Sequence, residues 1–158
     1  MALTTLDIKE PGLNVLPPGV ERYVVEGGGL TGIQILPDDE IEIINNEGNQ
    51  VCEISVFNKD GKSELAILGL KEIKDNSEIK KILFKKDETS LQALLQLKKR
   101  NLNIEKSKSS IVFNKETKAG ENIKLKSKDK CYCIIAAPGN EMMIHEQNPS
   151  TELTVMIK

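Results

Sequence analysis

The stretch Glu40-Ile41-Glu42-Ile43-Ile44-Asn45-Asn46-Glu47-Gly48-Asn49-Gln50-Val51-Cys52-Glu53-Ile54-Ser55-Val56-Phe57 decides the fold. Its two flanks are short and rich in β-branched residues, and its centre, Asn45 to Asn49, has the composition of a tight turn. Two strands joined by a turn are the reading, and the pair is predicted to form an antiparallel hairpin. Alternation in the second strand sets Cys52, Ile54 and Val56 on one face and Val51, Glu53, Ser55 and Phe57 on the other. The first set is the apolar face. Glu53 and Ser55 then either face solvent or line a cavity whose chemistry uses a carboxylate.

Working outward, the same short period recurs at residues 20–26 and 30–36 upstream and at 110–114, 122–127, 130–137 and 152–157 downstream. Asp60-Gly61, within Lys59 to Lys62, supplies a second hairpin-type turn. The middle changes character. Residues 77–86 carry a brief Ile79, Ile82, Leu83 stripe and predict a short helix. Residues 89–101 predict a longer one: Thr89 and Gln92 match a capping box, Leu91, Leu94, Leu95 and Lys98 recur at helical spacing, and Lys98, Lys99 and Arg100 fill the last turn. Residues 1–19, with Pro11, Gly12, Pro17, Pro18 and Gly19, read as an arm. The expected fold is mainly β (α+β): an antiparallel β-sandwich or barrel-like domain over residues 20–158, with a short helical insertion around residues 77–101.

With 158 residues, 39% hydrophobic and 29% charged, the chain can build one core, which excludes a disordered or collagen-like protein. No apolar run approaches the roughly 18 residues of a membrane span, and the amino terminus lacks the pattern of a secretory signal, so a cytoplasmic protein without a membrane partner is expected. Three cysteines are too few for a disulfide scaffold and are expected to be reduced. Charge is uneven: residues 1–70 hold 4 basic and 12 acidic side chains, residues 71–130 hold 17 and 9. The two blocks, if they face opposite ways, would orient the domain against a neighbour. Of the 22 basic residues all but Arg22 and Arg100 are Lys, and Tyr23, Phe57, Phe84, Phe113 and Tyr132 are the full aromatic set, which argues against a nucleic-acid partner.

Gly27, Gly29 and Gly32 match the G-x-G-x-x-G spacing of dinucleotide sites, but residues 33–36 alternate like a strand where that motif needs a helix. A close backbone approach at a sheet corner fits the glycines better. Cys131 and Cys133 share one strand face; with Cys52 and His145, the single histidine, they would complete a zinc site of four ligands. C-x-C within a strand is not the spacing of a structural zinc knuckle, so no metal is expected, and buried thiols are the commoner fate. For catalysis the candidates are Glu53, Cys131, Cys133 and His145, a carboxylate or a thiol with a base near it. Candidates for ligand binding are Asn49, Gln50 and Glu53, at the turn and just beyond it.

The segment Glu40 to Ile44, the turn Glu47-Gly48-Asn49-Gln50, the strand opening Val51-Cys52-Glu53 and the tail Val56-Phe57-Asn58-Lys59-Asp60 resemble the urea-carboxylase-associated domain family, with Glu53 at a position more usually Asp. Val25 to Thr31, Gly48 to Glu53, Leu91 to Leu95, Ala136-Ala137-Pro138-Gly139 and Glu146 to Leu153 are similar to a shortened form of that domain, the amino-terminal module of aminomethyltransferase-family proteins. There it precedes a region like the glycine-cleavage T-protein. This resemblance implies an accessory or interaction domain, non-catalytic by itself, in one-carbon or methylated-amine metabolism. It implies an aminomethyltransferase-like partner domain, covalently or non-covalently attached, and tetrahydrofolate bound by that neighbour, with no cofactor in this module. The wider family implies the alternative, a small hydrolase or deiminase-like enzyme. The last strand runs almost to Lys158, as in a module cut from something longer.

Overall fold

Among the described residues apolar side chains give eight strands at the positions read from sequence: β1 (Glu21–Val25), β2 (Leu30–Ile35), β3 (Glu40–Asn45), β4 (Cys52–Phe57), β5 (Ser110–Val112), β6 (Asn122–Lys126), β7 (Cys131–Ala136) and β8 (Leu153–Ile157). The structure is a computed structural model that describes residues 20–71, 77–85, 87–114, 116–139 and 151–158. The expected arm, residues 1–19, lies outside the described residues.

Pairing follows one rule. β1 pairs with β8, β2 with β7, β3 with β6 and β4 with β5, all antiparallel, so the chain is one long hairpin whose tip lies between β4 and β5. Rolling that hairpin up adds the β3–β8 and β4–β7 ladders and yields two four-stranded sheets, β1-β8-β3-β6 and β2-β7-β4-β5. The result is an antiparallel β-sandwich of jelly-roll topology. Its inner core interdigitates Val25, Ile33, Ile41, Ile43, Ile54, Val56, Ile135, Val155 and their neighbours.

The hairpin expected between residues 40–44 and 51–57 does not form, because β3 and β4 belong to opposite sheets. Burying Ile41 and Ile43 against Cys52, Ile54 and Val56 requires the two strands to face each other across the core, and that arrangement wins over a ladder between them. The connecting turn therefore crosses the sandwich. The glycine run of residues 27–29 does the same between β1 and β2, where Gly28 N–H donates to the Ala137 carbonyl at 2.7 Å and Ala137 N–H to that of Gly29 at 3.0 Å. Asp60-Gly61 does turn the chain back, but only into a single Phe57–Ser63 bridge ahead of a short 3-10 helix, Leu65–Leu68.

Helices α1 (Ser77–Leu83) and α2 (Glu88–Lys99) lie on the outer face of the β4 sheet. There Ile79, Ile82, Leu83, Ala93 and Leu97 form a second core with Leu30, Phe57, Ile134 and Ala136. Three expectations change as a result. β4 is buried on both faces, so Glu53 and Ser55 do not face solvent. The N-cap of α2 is Asp87, not Thr89: the Asp87 carboxylate accepts from Ser90 N–H at 2.7 Å and the Ser90 hydroxyl donates back to the Asp87 carbonyl at 3.0 Å. The buried face of α2 runs through Ser90, Ala93 and Leu97, while Leu91 and Leu95 of the expected apolar stripe point outward.

At β3 and β6 members of the acidic and basic blocks meet within one sheet. On its outer face Glu40 stands opposite Lys126 and Glu42 opposite Lys124. Among the described residues no helix is long and apolar enough to cross a membrane.

Candidate functional site

The β3–β4 turn is built by two successive left-handed residues, Gly48 (φ 78°) and Asn49 (φ 60°). A side chain at Gly48 would lie 2.7 Å from both the Ala119 nitrogen and the Thr117 oxygen, so only glycine lets the turn seat on that loop. Asn49 N–H then donates to the Thr117 carbonyl at 2.7 Å, and its side chain is exposed. Gln50 is buried, and its amide is fully spent on backbone. Nε2 donates to the Val51 carbonyl at 2.8 Å and the Pro138 carbonyl at 3.0 Å, and Oε1 accepts from Thr151 N–H at 2.8 Å. Three chain segments meet on this one side chain. Asn45 closes the turn from below, donating through Nδ2 to the Gln50 carbonyl at 2.8 Å.

Beside Gln50, the buried Oδ1 of Asn45 and Oγ1 of Thr151 have no hydrogen-bond partner among the described residues. Among the described residues these two atoms are unspent hydrogen-bonding capacity of the cluster, suited to a neutral polar group. Sequence reasoning named Asn49 and Gln50 and missed Asn45 and Thr151. The available signal was the inward phase of Asn45 at the end of an otherwise apolar strand face.

Glu53 lies on the opposite face of β4, fully buried beneath α1. Its Oε1 accepts from the Ser109 hydroxyl at 2.9 Å and its Oε2 from Glu78 N–H at 3.2 Å, in the first turn of α1. Burial raises its pKa above the ordinary 4.5, while these bonds, together with one from the Ile79 backbone, oppose the rise. The carboxylate therefore tethers the helical insertion to the sheet. Both its oxygens are engaged by the protein.

The thiols are free and sit in the inner core. Burial pushes Cys52 and Cys133 well above the ordinary thiol range and Cys131 up to about 11, with a weak Ser127 contact at 3.8 Å opposing the shift. At neutral pH Cys131 is therefore held as the protonated thiol, far from an activated nucleophile. Cys131 and Cys133 share one face of β7, and register sets Cys52 apart from them. Cys133 stands opposite Val56, four residues along β4 from Cys52, which is about 13 Å of strand. Cys52, Cys131 and Cys133 thus do not converge, and the described residues hold no group of three or more His, Cys, Asp or Glu side chains positioned for a metal. His145 lies outside the described residues.

A further ionisable pair, not singled out from sequence, closes the other end of the sandwich. Glu21 and Tyr23 are inward-facing on β1, and the Tyr23 hydroxyl donates to the Glu21 carboxylate. Burial, more than this bond, raises the Tyr23 pKa far above 10.

Fold and site together define a jelly-roll module whose conspicuous polar side chains hold segments of backbone in place. No family model matches the chain. It is 34% identical over 152 residues, 96% of its length, to a trimethylamine-oxide aldolase of Ruegeria pomeroyi. The chain spans only 19% of that protein, so its counterpart there is one part of a much larger polypeptide.

Proposed function

We propose that this chain is an accessory domain of an aminomethyltransferase-like protein of methylated-amine metabolism, acting on a substrate of the trimethylamine-oxide class. The observation that carries the reading is the near-complete alignment of the chain with a fifth of a trimethylamine-oxide aldolase. The site geometry supports it: Glu53, Cys131 and Cys133 have both oxygens engaged or are held protonated in the core, which suits scaffolding better than turnover. Tetrahydrofolate, implied by the family resemblance, belongs in this reading to the neighbouring domain, and no step of its chemistry is assigned to the residues described above.

Two measurements test the proposal, both following trimethylamine-oxide consumption by NMR. The chain alone is expected to consume none. The Ruegeria pomeroyi protein carrying this chain in place of its aligned segment is expected to stay active, and Glu53→Gln in that chimera to change the rate by no more than about threefold, since the carboxylate meets no substrate. Turnover by the isolated chain, lost roughly 100-fold or more on Glu53→Gln, would overturn the reading in favour of the hydrolase or deiminase-like enzyme.

A further inference from the structure

Helix α2 buries one face in the second core and leaves a second apolar face uncovered. Leu91 and Leu95 are 56% and 53% exposed, an unusual state for two leucines one turn apart on a 12-residue helix. Beside them runs a groove lined by Phe84, itself 43% exposed, with Leu94, Leu97, Lys98 and Leu102. Glu88 and Lys98 flank the leucines, one at each end of the helix.

The spacing Glu88, Leu91, Leu95, Lys98 advances by three, four and three residues, which keeps all four within one narrow stripe, as in the seam of a coiled coil. The stripe also reads the same backwards with its charges exchanged. Laid antiparallel against a copy of itself, Leu91 meets Leu95 of the copy, and Glu88 meets Lys98 at both ends. Neither Glu88 nor Lys98 has an ion-pair partner among the described residues. A two-fold axis demands this kind of self-complementarity, because each patch must accept its own image. An unrelated partner places no such demand on the sequence.

We propose that a second copy of this chain docks on α2, antiparallel across a two-fold axis between Leu91 and Leu95, with two reciprocal Glu88–Lys98 pairs at the rim. The helix is only about 18 Å long, so the contact is small and the dimer is concentration-dependent and weakened by salt. This inference does not depend on the functional reading above.

Sedimentation velocity on the full chain across a concentration series, at low salt, is the test. Wild type is expected to shift from monomer to dimer, and Leu95→Glu, an exposed position that leaves the fold intact by circular dichroism, to stay monomeric. Glu88→Lys alone and Lys98→Glu alone each set like charges across the axis and are expected to dimerise at least tenfold more weakly. Their equimolar mixture restores both pairs and is expected to dimerise like wild type. A wild type monomeric at every concentration would overturn the proposal and leave the face to another domain. A dimer insensitive to Leu95→Glu, or a mixture no better than its components, would overturn it equally.

Discussion

Replacing Glu53 separates a tether from a catalytic group. Truncation by Glu53→Ala strands the Ser109 hydroxyl, which is fully buried, and Glu78 N–H, which lies in a half-buried residue and can turn to water. Leaving one buried donor unsatisfied costs about 1–3 kcal/mol, and the lost side-chain packing adds about 1, so a destabilisation of about 2–4 kcal/mol is expected. Glu53→Gln is gentler: its carbonyl accepts from Glu78 N–H while its NH2 donates to the Ser109 oxygen, and about 1 kcal/mol or less is expected at pH 7. The two also differ in pH dependence. Burial raises the folded-state pKa of Glu53 above 4.5, so in that window the folded chain keeps a proton the unfolded chain has released. Stability from Glu53 is then fully present below about pH 4.5 and declines as pH rises through the folded value. The advantage of wild type over Glu53→Gln should accordingly shrink as pH rises above 4.5 through the folded-state value. Urea unfolding followed by circular dichroism at several pH values reads both quantities. A Glu53→Ala variant within about 0.5 kcal/mol of wild type, or a wild-type advantage that grows with pH, would refute the tether.

Gln50→Ala should cost about 2–4 kcal/mol by urea unfolding, because it releases three backbone groups on residues 51, 138 and 151 at once. Gly48→Ala is expected to lose at least about 2 kcal/mol, combining a left-handed φ with contacts of 2.7 Å to backbone. In native protein at pH 7 the three core thiols should react with a thiol-specific reagent at least 100-fold more slowly than in urea, since burial holds them protonated and covered. Metal analysis of the purified chain should find zinc well below one equivalent, with no change on Cys131→Ser.

Strand positions were legible because each strand has one inner face and must alternate: residues 40–44 and 51–57 coincide with β3 and β4 to within a residue. Pairing was not. The ladder that closes the roll joins Glu21 to Ile157, and nothing in either segment names the other. Local turn chemistry at Asn45 to Asn49 pointed to a hairpin, when the same composition also serves a turn that crosses from sheet to sheet. Glu53 misled for a related reason. A polar residue in a strand reads as solvent-facing unless a distant segment covers it, and the segment that does so is α1, some 25 residues later. On α2 the larger apolar side chains do not mark the buried face. Ala93 and Leu97 fit the close approach to Ile134 and Ala136, and the larger Leu91 and Leu95 are left outside.

The position of the helical insertion explains why a carboxylate stands at its root. In a fold made as one long hairpin, the tip is where extra chain disturbs least, since β4 and β5 are already neighbours and residues 58–109 begin and end at adjacent points. The insertion must nevertheless find one seat on the sheet. Its apolar contacts, Ile and Leu against Ile, Ala and Phe, are non-directional and would tolerate a shifted helix with little loss. A carboxylate that accepts from Glu78 N–H and the Ser109 hydroxyl joins the sheet, the first turn of α1 and the returning chain in one geometry, and any sliding leaves a buried charge or donor unpaired. Gln50 applies the same logic at the sheet-crossing turn, where its amide fits only one arrangement of residues 51, 138 and 151. Buried polar residues in this chain thus set positions that its many aliphatic side chains leave free to slip, and Glu53 and Gln50, both site candidates from sequence, are spent on register.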